Sequence, residues 1–290
     1  MEKCDLVEES NCALEPMVVQ GSASGGEAGG HSPDAERDED GGGELAPKEA
    51  TWYRAMVARA NYLAQDRMDI QYTAQELSRW MSRPRSQDVG KVKRLVRYLV
   101  GAERAVQRFG ELKEMPKWID AYGDSDWATC KKTRRSTSGG VVMFGGATLK
   151  TWSSTQGSIA TSVGEAEYYA ALKGAAEGLG VQALARDLGI ELGVRLWSDS
   201  TSARGIACRR GLSTRTRHLE VKYLWLQEAV ARKRIQWGKI HTSVNPADLL
   251  TKIKSRGEAK RLMAIAGSEL LFRQADHAAR RRGGVGFRAL

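Results

Sequence analysis

At Pro116 the spacing of apolar residues changes from helical to alternating, which restricts the chain to a helical segment followed by an α/β domain. Before the change, Tyr53, Met56, Val57, Ala60, Leu63 and Ala64 share one helical face. Ile70, Ala74, Leu77 and Met81 share a second, and Val89, Val92, Leu95, Val96 and Leu99 a third. Pro84 closes the second helix, Ser86 reads as the N-cap of the third, and Lys91, Lys93, Arg94 and Arg97 lie on that helix's outer face. After the change, Trp118 to Asp124, Gly140 to Phe144 and Thr148 to Ser154 read as strands, with Gly145-Gly146 as a tight turn. A long helix is expected from about Val163 to Leu188, and a short buried strand from Val194 to Ser198. Further helices follow from Ser200 to about Arg209 and from about Thr216 to Ala231. Arg234 to His241 supplies the last strand and Pro246 to Ile253 the last short helix. Three antiparallel strands followed by helix, strand, helices, strand and helix predict an α/β fold with a mixed five-stranded sheet flanked by helices.

Four acidic positions fall where such a sheet brings strand ends and helix starts together. Asp124 ends the first strand, and Asp126, two residues on, points to the same rim. An acid after a strand also serves ordinary turn chemistry. Glu165 and Glu167 both open the long helix. Ser162-Val-Gly-Glu165 has capping-box spacing, which gives Glu165 a structural occupation. Glu167 has none, and it leads a face of Ala170, Ala171, Gly174 and Gly178 that lets the helix lie close to the sheet, so Glu167 is the preferred candidate. Asp199 follows the strand ending at Ser198, on the side where open α/β sheets do their chemistry, while Ser200 is placed to cap the next helix. In Asn245-Pro-Ala-Asp248, Asn245 suits the N-cap, Pro246 the first helical position and Asp248 the first turn, a setting that keeps a carboxylate ionised. Each acid has a structural explanation alone; together they form the donor set that Mg²⁺ prefers.

Charge divides the chain. Residues 1–50 hold 13 acidic and 3 basic side chains, which leaves 42 basic and 22 acidic for the rest. The leading segment, rich in Gly, Ser, Asp and Glu, buries too little apolar surface to repay ordering and reads as a disordered leader. The basic remainder points to a polyanionic partner, nucleic acid before small acidic metabolites, although solubility alone also explains such an excess. The four cysteines show no paired spacing, against a disulfide framework or zinc site. No apolar run reaches about 18 residues and the first residues lack a signal-peptide pattern, so neither membrane spanning nor secretion is expected.

Six segments, Gly123-Asp-Ser-Asp-Trp-Ala128, Thr133-Arg-Arg-Ser-Thr-Ser-Gly139, Ser162-Val-Gly-Glu-Ala-Glu-Tyr168, Ser198-Asp-Ser-Thr-Ser-Ala203, Arg215-Thr-Arg-His-Leu-Glu220 and Ala247-Asp-Leu-Leu-Thr-Lys252, stand in one order across residues 118–253. In these the chain resembles the ribonuclease H domain of copia-type LTR retrotransposon Pol polyproteins. Tyr53-Arg-Ala-Met-Val57, Asp69-Ile70, Leu77-Ser-Arg79 and Lys93-Arg-Leu-Val-Arg-Tyr-Leu99 resemble the end of the reverse transcriptase that precedes that domain. The resemblance implies a ribonuclease H-like fold and a metal-dependent endonuclease that cuts the RNA strand of RNA–DNA hybrids. It places catalytic and metal-binding roles on Asp124, Glu167, Asp199 and Asp248, with two Mg²⁺ ions, or Mn²⁺ in their place. Lys131, Lys132, Arg134, Arg135 and His218 become candidate nucleic-acid contacts, Asp126 a recurrent position without a settled role, and His241 is given none. A separate reverse transcriptase is an implied partner, because the polymerase, integrase and protease segments of such polyproteins are not in this sequence. The alternative is a catalytically silent, nucleic-acid-binding remnant. Three departures stand out: Gly140 where the family often has Tyr, Ser200 where it often has Asn, and Ile253 where Pro usually follows Thr-Lys. The expected organisation is a leader over residues 1–50, a helical segment over 51–115, the ribonuclease H-like domain over 116–256 and a basic tail over 257–290.

Overall fold

The structure is a computed structural model that describes residues 43–130, 132–214 and 217–271. Most of the expected leader, the end of the expected tail and Lys131 lie outside the described residues.

Among the described residues three helices come first: α1 (Pro47–Leu63), α2 (Met68–Ser78) and α3 (Ser86–Gly101). Proline at the first position of α1 suits its fixed φ and missing N–H. Their apolar stripes meet in one core built on Tyr53, Val57, Ile70, Ala74, Leu77, Val92 and Leu95. The N-cap of α3 is Arg85, not Ser86. Asp88, fully buried, accepts a hydrogen bond from the Arg85 backbone N–H at 3.1 Å, so the start of the helix is fixed from inside the first turn.

The mixed five-stranded sheet expected from the sequence forms next. Its strands are β2 (Trp118–Asp126), β3 (Thr137–Phe144), β4 (Ala147–Thr155), β5 (Gly193–Ser198) and β6 (Ile235–Lys239), in the order β4-β3-β2-β5-β6. The first three strands are antiparallel, whereas β5 runs parallel to β2 and β6 parallel to β5. Helix α4 (Val163–Asp187) crosses one face of the sheet, and α5 (Thr201–Ala207) and α6 (Trp225–Ala231) pack beside it. The small residues of α4 allow close contact, since a Cβ at Gly178 would stand 2.9 Å from the Val194 side chain. The helix expected from about Thr216 to Ala231 is shorter than its periodicity suggests: a 3-10 turn over Val221–Tyr223 precedes α6. The last short helix is likewise a 3-10 turn, over Pro246–Leu250.

The other face of the sheet is covered from both ends of the described chain. Met68 of α2, Val141 and Met143 of β3, Leu249, Leu250, and Leu262 and Met263 of α7 (Arg256–Ile265) share one core. The tail expected after Arg256 is therefore structured as far as Leu271. It carries α7 and then β7 (Ser268–Leu271), which pairs with β1 (Arg104–Gln107) in a two-stranded antiparallel sheet. A capping box starts α7: Ser255 Oγ accepts from the Glu258 N–H at 3.3 Å, and the Glu258 carboxylate accepts from the Ser255 N–H at 3.1 Å. Ser255→Ala is expected to lower stability by about 1 kcal/mol, read as a shift in the urea midpoint with unchanged slope.

Candidate metal centre

Asp124, Glu167 and Asp199 meet at the carboxyl ends of β2 and β5, with ligand oxygens that all lie within 4.8 Å of one another. Asp124 leaves the end of β2 and is buried. Its Oδ2 accepts from the Thr251 hydroxyl at 2.6 Å. Glu167 reaches the same point from the first turns of α4, where its Oε1 accepts from the Ser125 hydroxyl at 2.9 Å. Its Oε2 is buried and has no hydrogen-bond partner among the described residues. Asp199, half-buried just after β5, accepts from the Thr242 hydroxyl at 2.5 Å. Ser200 caps α5 through the Ala203 N–H at 3.1 Å, which leaves the Asp199 side chain free of that task.

The turn that carries Asp248 is tied to the end of β2. Asn245 caps it through the Ala247 N–H at 3.2 Å and donates from Nδ2 to the Gly123 carbonyl, also at 3.2 Å. Gly139 makes the close approach possible: a Cβ there would stand 2.7 Å from Leu250 Cβ and 2.8 Å from the Ala247 carbonyl oxygen. Asp248 is buried beside the three clustered acids but is not one of them. Lys252 pairs with its Oδ1 at 2.8 Å and Lys254 with its Oδ2. The structure thus gathers three of the four sequence candidates and holds the fourth next to them against two lysines.

Electrostatics sharpen this arrangement. Burial raises the Asp124 carboxyl to about 7; the Thr251 hydrogen bond opposes that rise, and the charges of Asp248 and Asp199 add to it. Burial, then the charge of Asp124, raises Glu167 to about 8. Carboxylates packed so closely away from water repel one another, and a divalent cation relieves that cost. All the donors are hard oxygen atoms, and one of them, Glu167 Oε2, is a buried acceptor lacking a donor. The set fits a cation of the Mg²⁺ or Mn²⁺ kind.

Glu165 is occupied elsewhere, though not wholly as a capping box. The Ser162 hydroxyl accepts from its N–H at 3.2 Å, but its carboxylate reaches past Ser162 to the Thr161 N–H at 2.9 Å. It also accepts from the Tyr169 hydroxyl at 2.6 Å and contacts His218 Nε2 at 2.9 Å. Burial opposes ionisation here, yet the bonds from Thr161, Tyr169 and His218 hold the carboxyl below its usual value. His218, a candidate nucleic-acid contact, is thereby bound to a protein carboxylate while remaining 45 % exposed. Lys132, Arg134 and Arg135 are exposed on the loop from β2 to β3, at the rim where Asp124 lies. Thr251, Ser125, Thr242 and the two lysines were not singled out from the sequence. Only Lys252, four residues after Asp248, had a local signal.

No protein-family model matches the chain. It is 30 % identical over 202 residues to the retrovirus-related Pol polyprotein from transposon TNT 1-94 of Nicotiana tabacum, which covers 69 % of this chain and 15 % of that protein. It is 29 % identical over 211 residues to the corresponding polyprotein from transposon RE1 of Arabidopsis thaliana, covering 71 % of this chain and 14 % of that protein. The chain thus spans about one seventh of the length of these curated relatives. Among solved structures, the N-terminal RNase H domain of rv2228c from Mycobacterium tuberculosis is 18 % identical, with a TM-score of 0.33, over 46 % of this chain and 95 % of that one. LC11-RNase H1 in complex with an RNA/DNA hybrid is 19 % identical at the same TM-score, over 46 % and 92 %.

Proposed function

Because this chain is a homologue of copia-type retrotransposon Pol polyproteins, we propose that it is a ribonuclease H, a metal-dependent endonuclease that cleaves the RNA strand of RNA–DNA hybrids. The observation that carries this reading is the convergence of Asp124, Glu167 and Asp199 within 4.8 Å, three acids drawn from three separate elements. Asp124, oriented by Thr251, and Glu167, with its unpartnered Oε2, would hold a divalent cation. Asp199 completes the set from the more open side. Asp248, buried beside the set and paired with Lys252 and Lys254, would serve as the fourth acid. A divalent cation, when bound, supplies charge stabilisation at the scissile phosphate and makes water a stronger nucleophile at neutral pH. Lys132, Arg134 and Arg135 contact the nucleic-acid backbone beside the acids, with Lys131 and His218 as further candidate contacts. Contacts to the 2′-hydroxyl across the minor groove select the RNA strand.

The test is a labelled RNA–DNA hybrid incubated with the protein and Mg²⁺, beside an Asp199→Asn variant. The wild type is expected to release RNA fragments and to stop when EDTA is added. The variant is expected to lose at least roughly a hundredfold in rate, the scale on which removal of a charge-stabilising group acts. Cleavage by Asp199→Asn at the wild-type rate rejects the site. No cleavage by the wild type, with salt-sensitive binding retained, makes the chain a silent nucleic-acid-binding remnant instead.

A further inference from the structure

A cleft with a cavity volume of about 480 Å³ lies between the end of β4, the middle of α4 and the start of α6, and none of the four acids lines it. Three chemical features meet there. Gln156 is only 7 % exposed, and its Nε2 donates to Ser138 Oγ and to the Ala166 carbonyl, both at 2.8 Å. Those two bonds fix which way the amide faces, and its Oε1 is left buried without a donor. A buried carbonyl in that condition is costly, and a donor that reached it would remove the cost. Lys173 supplies the second feature. Its ammonium donates to Ser154 Oγ at 2.8 Å and stands 5.6 Å over the Trp152 ring. Burial lowers its pKa; the charge of Glu177 opposes that fall and the charge of Lys150 adds to it. The third is an aromatic wall, formed by Trp225 and by Tyr169 and Tyr223, whose ring centroids are 4.7 Å apart.

A flat ring that carries an N–H donor and a linked anion satisfies all three at once, and the volume falls in the range of small-molecule sites. An acidic peptide brings the anion without the ring, and a fatty acid brings neither ring nor donor. We propose that this cleft binds one nucleoside phosphate unit, its base against the aromatic wall with an N–H on Gln156 Oε1 and its phosphate on Lys173. Each of the four bases offers an N–H donor and a stacking face, so the site accepts any of them. The unit comes either from a free nucleotide or from an unpaired end of a nucleic-acid strand. The second source places the cleft beside the acidic cluster: Ser138 is the register partner of Ser125, the residue that donates to Glu167, and Tyr169 stands two residues after Glu167 on the same helix.

The experiment measures equilibrium binding of labelled adenosine monophosphate, a five-nucleotide single-stranded DNA and a blunt RNA–DNA hybrid to the full chain in EDTA, so that cleavage plays no part. The wild type is expected to bind the single strand saturably. Lys173→Met and Trp225→Leu are expected to weaken that binding roughly tenfold, on the scale of a lost base–aromatic stack. Trp225→Phe keeps it, and all three variants leave blunt-hybrid affinity and the circular dichroism spectrum unchanged. Mononucleotide binding as tight as the single strand supports the free-nucleotide source; binding of the strand alone supports the unpaired end. The proposal is overturned if the wild type binds neither probe, if the variants bind like the wild type, or if hybrid affinity falls equally. Because no arm depends on cleavage, a negative result in the nuclease assay leaves this test standing.

Discussion

Asp124→Asn is expected to abolish cleavage of an RNA–DNA hybrid while making the metal-free protein more stable at pH 8, by on the order of 2 kcal/mol. The two effects share a cause. Burial first, and then the neighbouring carboxylates, hold Asp124 at about 7 and Glu167 at about 8 in the folded chain. In the unfolded chain both carboxyls titrate near about 4. Between these limits the folded state binds more protons than the unfolded one. Stability from this cluster is therefore full below about pH 4, falls as pH rises, and levels off above about pH 8. Asparagine keeps the acceptor for the Thr251 hydroxyl and removes the charge, so the variant gains nothing at pH 4 and most at pH 8. Magnesium acts in the opposite direction on the parent, raising its melting temperature more at pH 8 than at pH 6, and raising that of the variant far less. Thermal melts at three pH values, with EDTA or with Mg²⁺, decide the matter. A variant that melts below the parent at pH 8 in EDTA contradicts this account of the cluster.

Gly140→Ala is expected to be among the most damaging single-methyl additions the chain can suffer. A Cβ at Gly140 would stand 1.9 Å from a ring carbon of Trp152, which lies across this position from β4. Both residues are buried on adjacent strands and face each other in register. Overpacking of this kind costs about 1–3 kcal/mol or more, and here a rigid indole has to leave its site. Trp152→Ala alone leaves a void worth about 3–5 kcal/mol. The pair is expected to be strongly non-additive, with Gly140→Tyr combined with Trp152→Ala more stable than either single variant. Denaturant midpoints in a double-mutant cycle measure this; additive losses contradict the packing argument.

The features that the sequence revealed are those with local periodicity. The strand and helix succession from Trp118 to Lys239 follows from alternation and from the 3.6 spacing, and its small-residue face told Glu167 from Glu165. The features that it concealed depend on partners far along the chain. Strand β1 is four residues long and finds its mate, β7, more than 160 residues later, so neither has a pattern that marks it alone. Helix α7 looked like a basic tail because Leu262 and Met263 are few among charged neighbours, and their burial rests on Val141, Met143 and Met68. Asp248 read as an equal of the other three acids because the sequence places it at a helix start; of the two lysines that hold it, Lys252 has the i,i+4 spacing, whereas Lys254 is brought to it only by the folded turn. His218 likewise gave no sign that Glu165 would claim it.

Helix α2 stands along β4, the outermost strand of the five-stranded sheet. Gln71 donates to the Thr151 hydroxyl at 2.8 Å and Gln75 to that of Thr155 at 2.6 Å, while Arg79 bonds both Thr155 and Thr137. An outermost strand is a template onto which another chain can add itself, and natural proteins guard such strands. The helical segment is this strand's guard. A shortened protein that began at Pro116 would keep every acid and lose its protection against self-association, and its failure in solution would look like aggregation rather than lost chemistry.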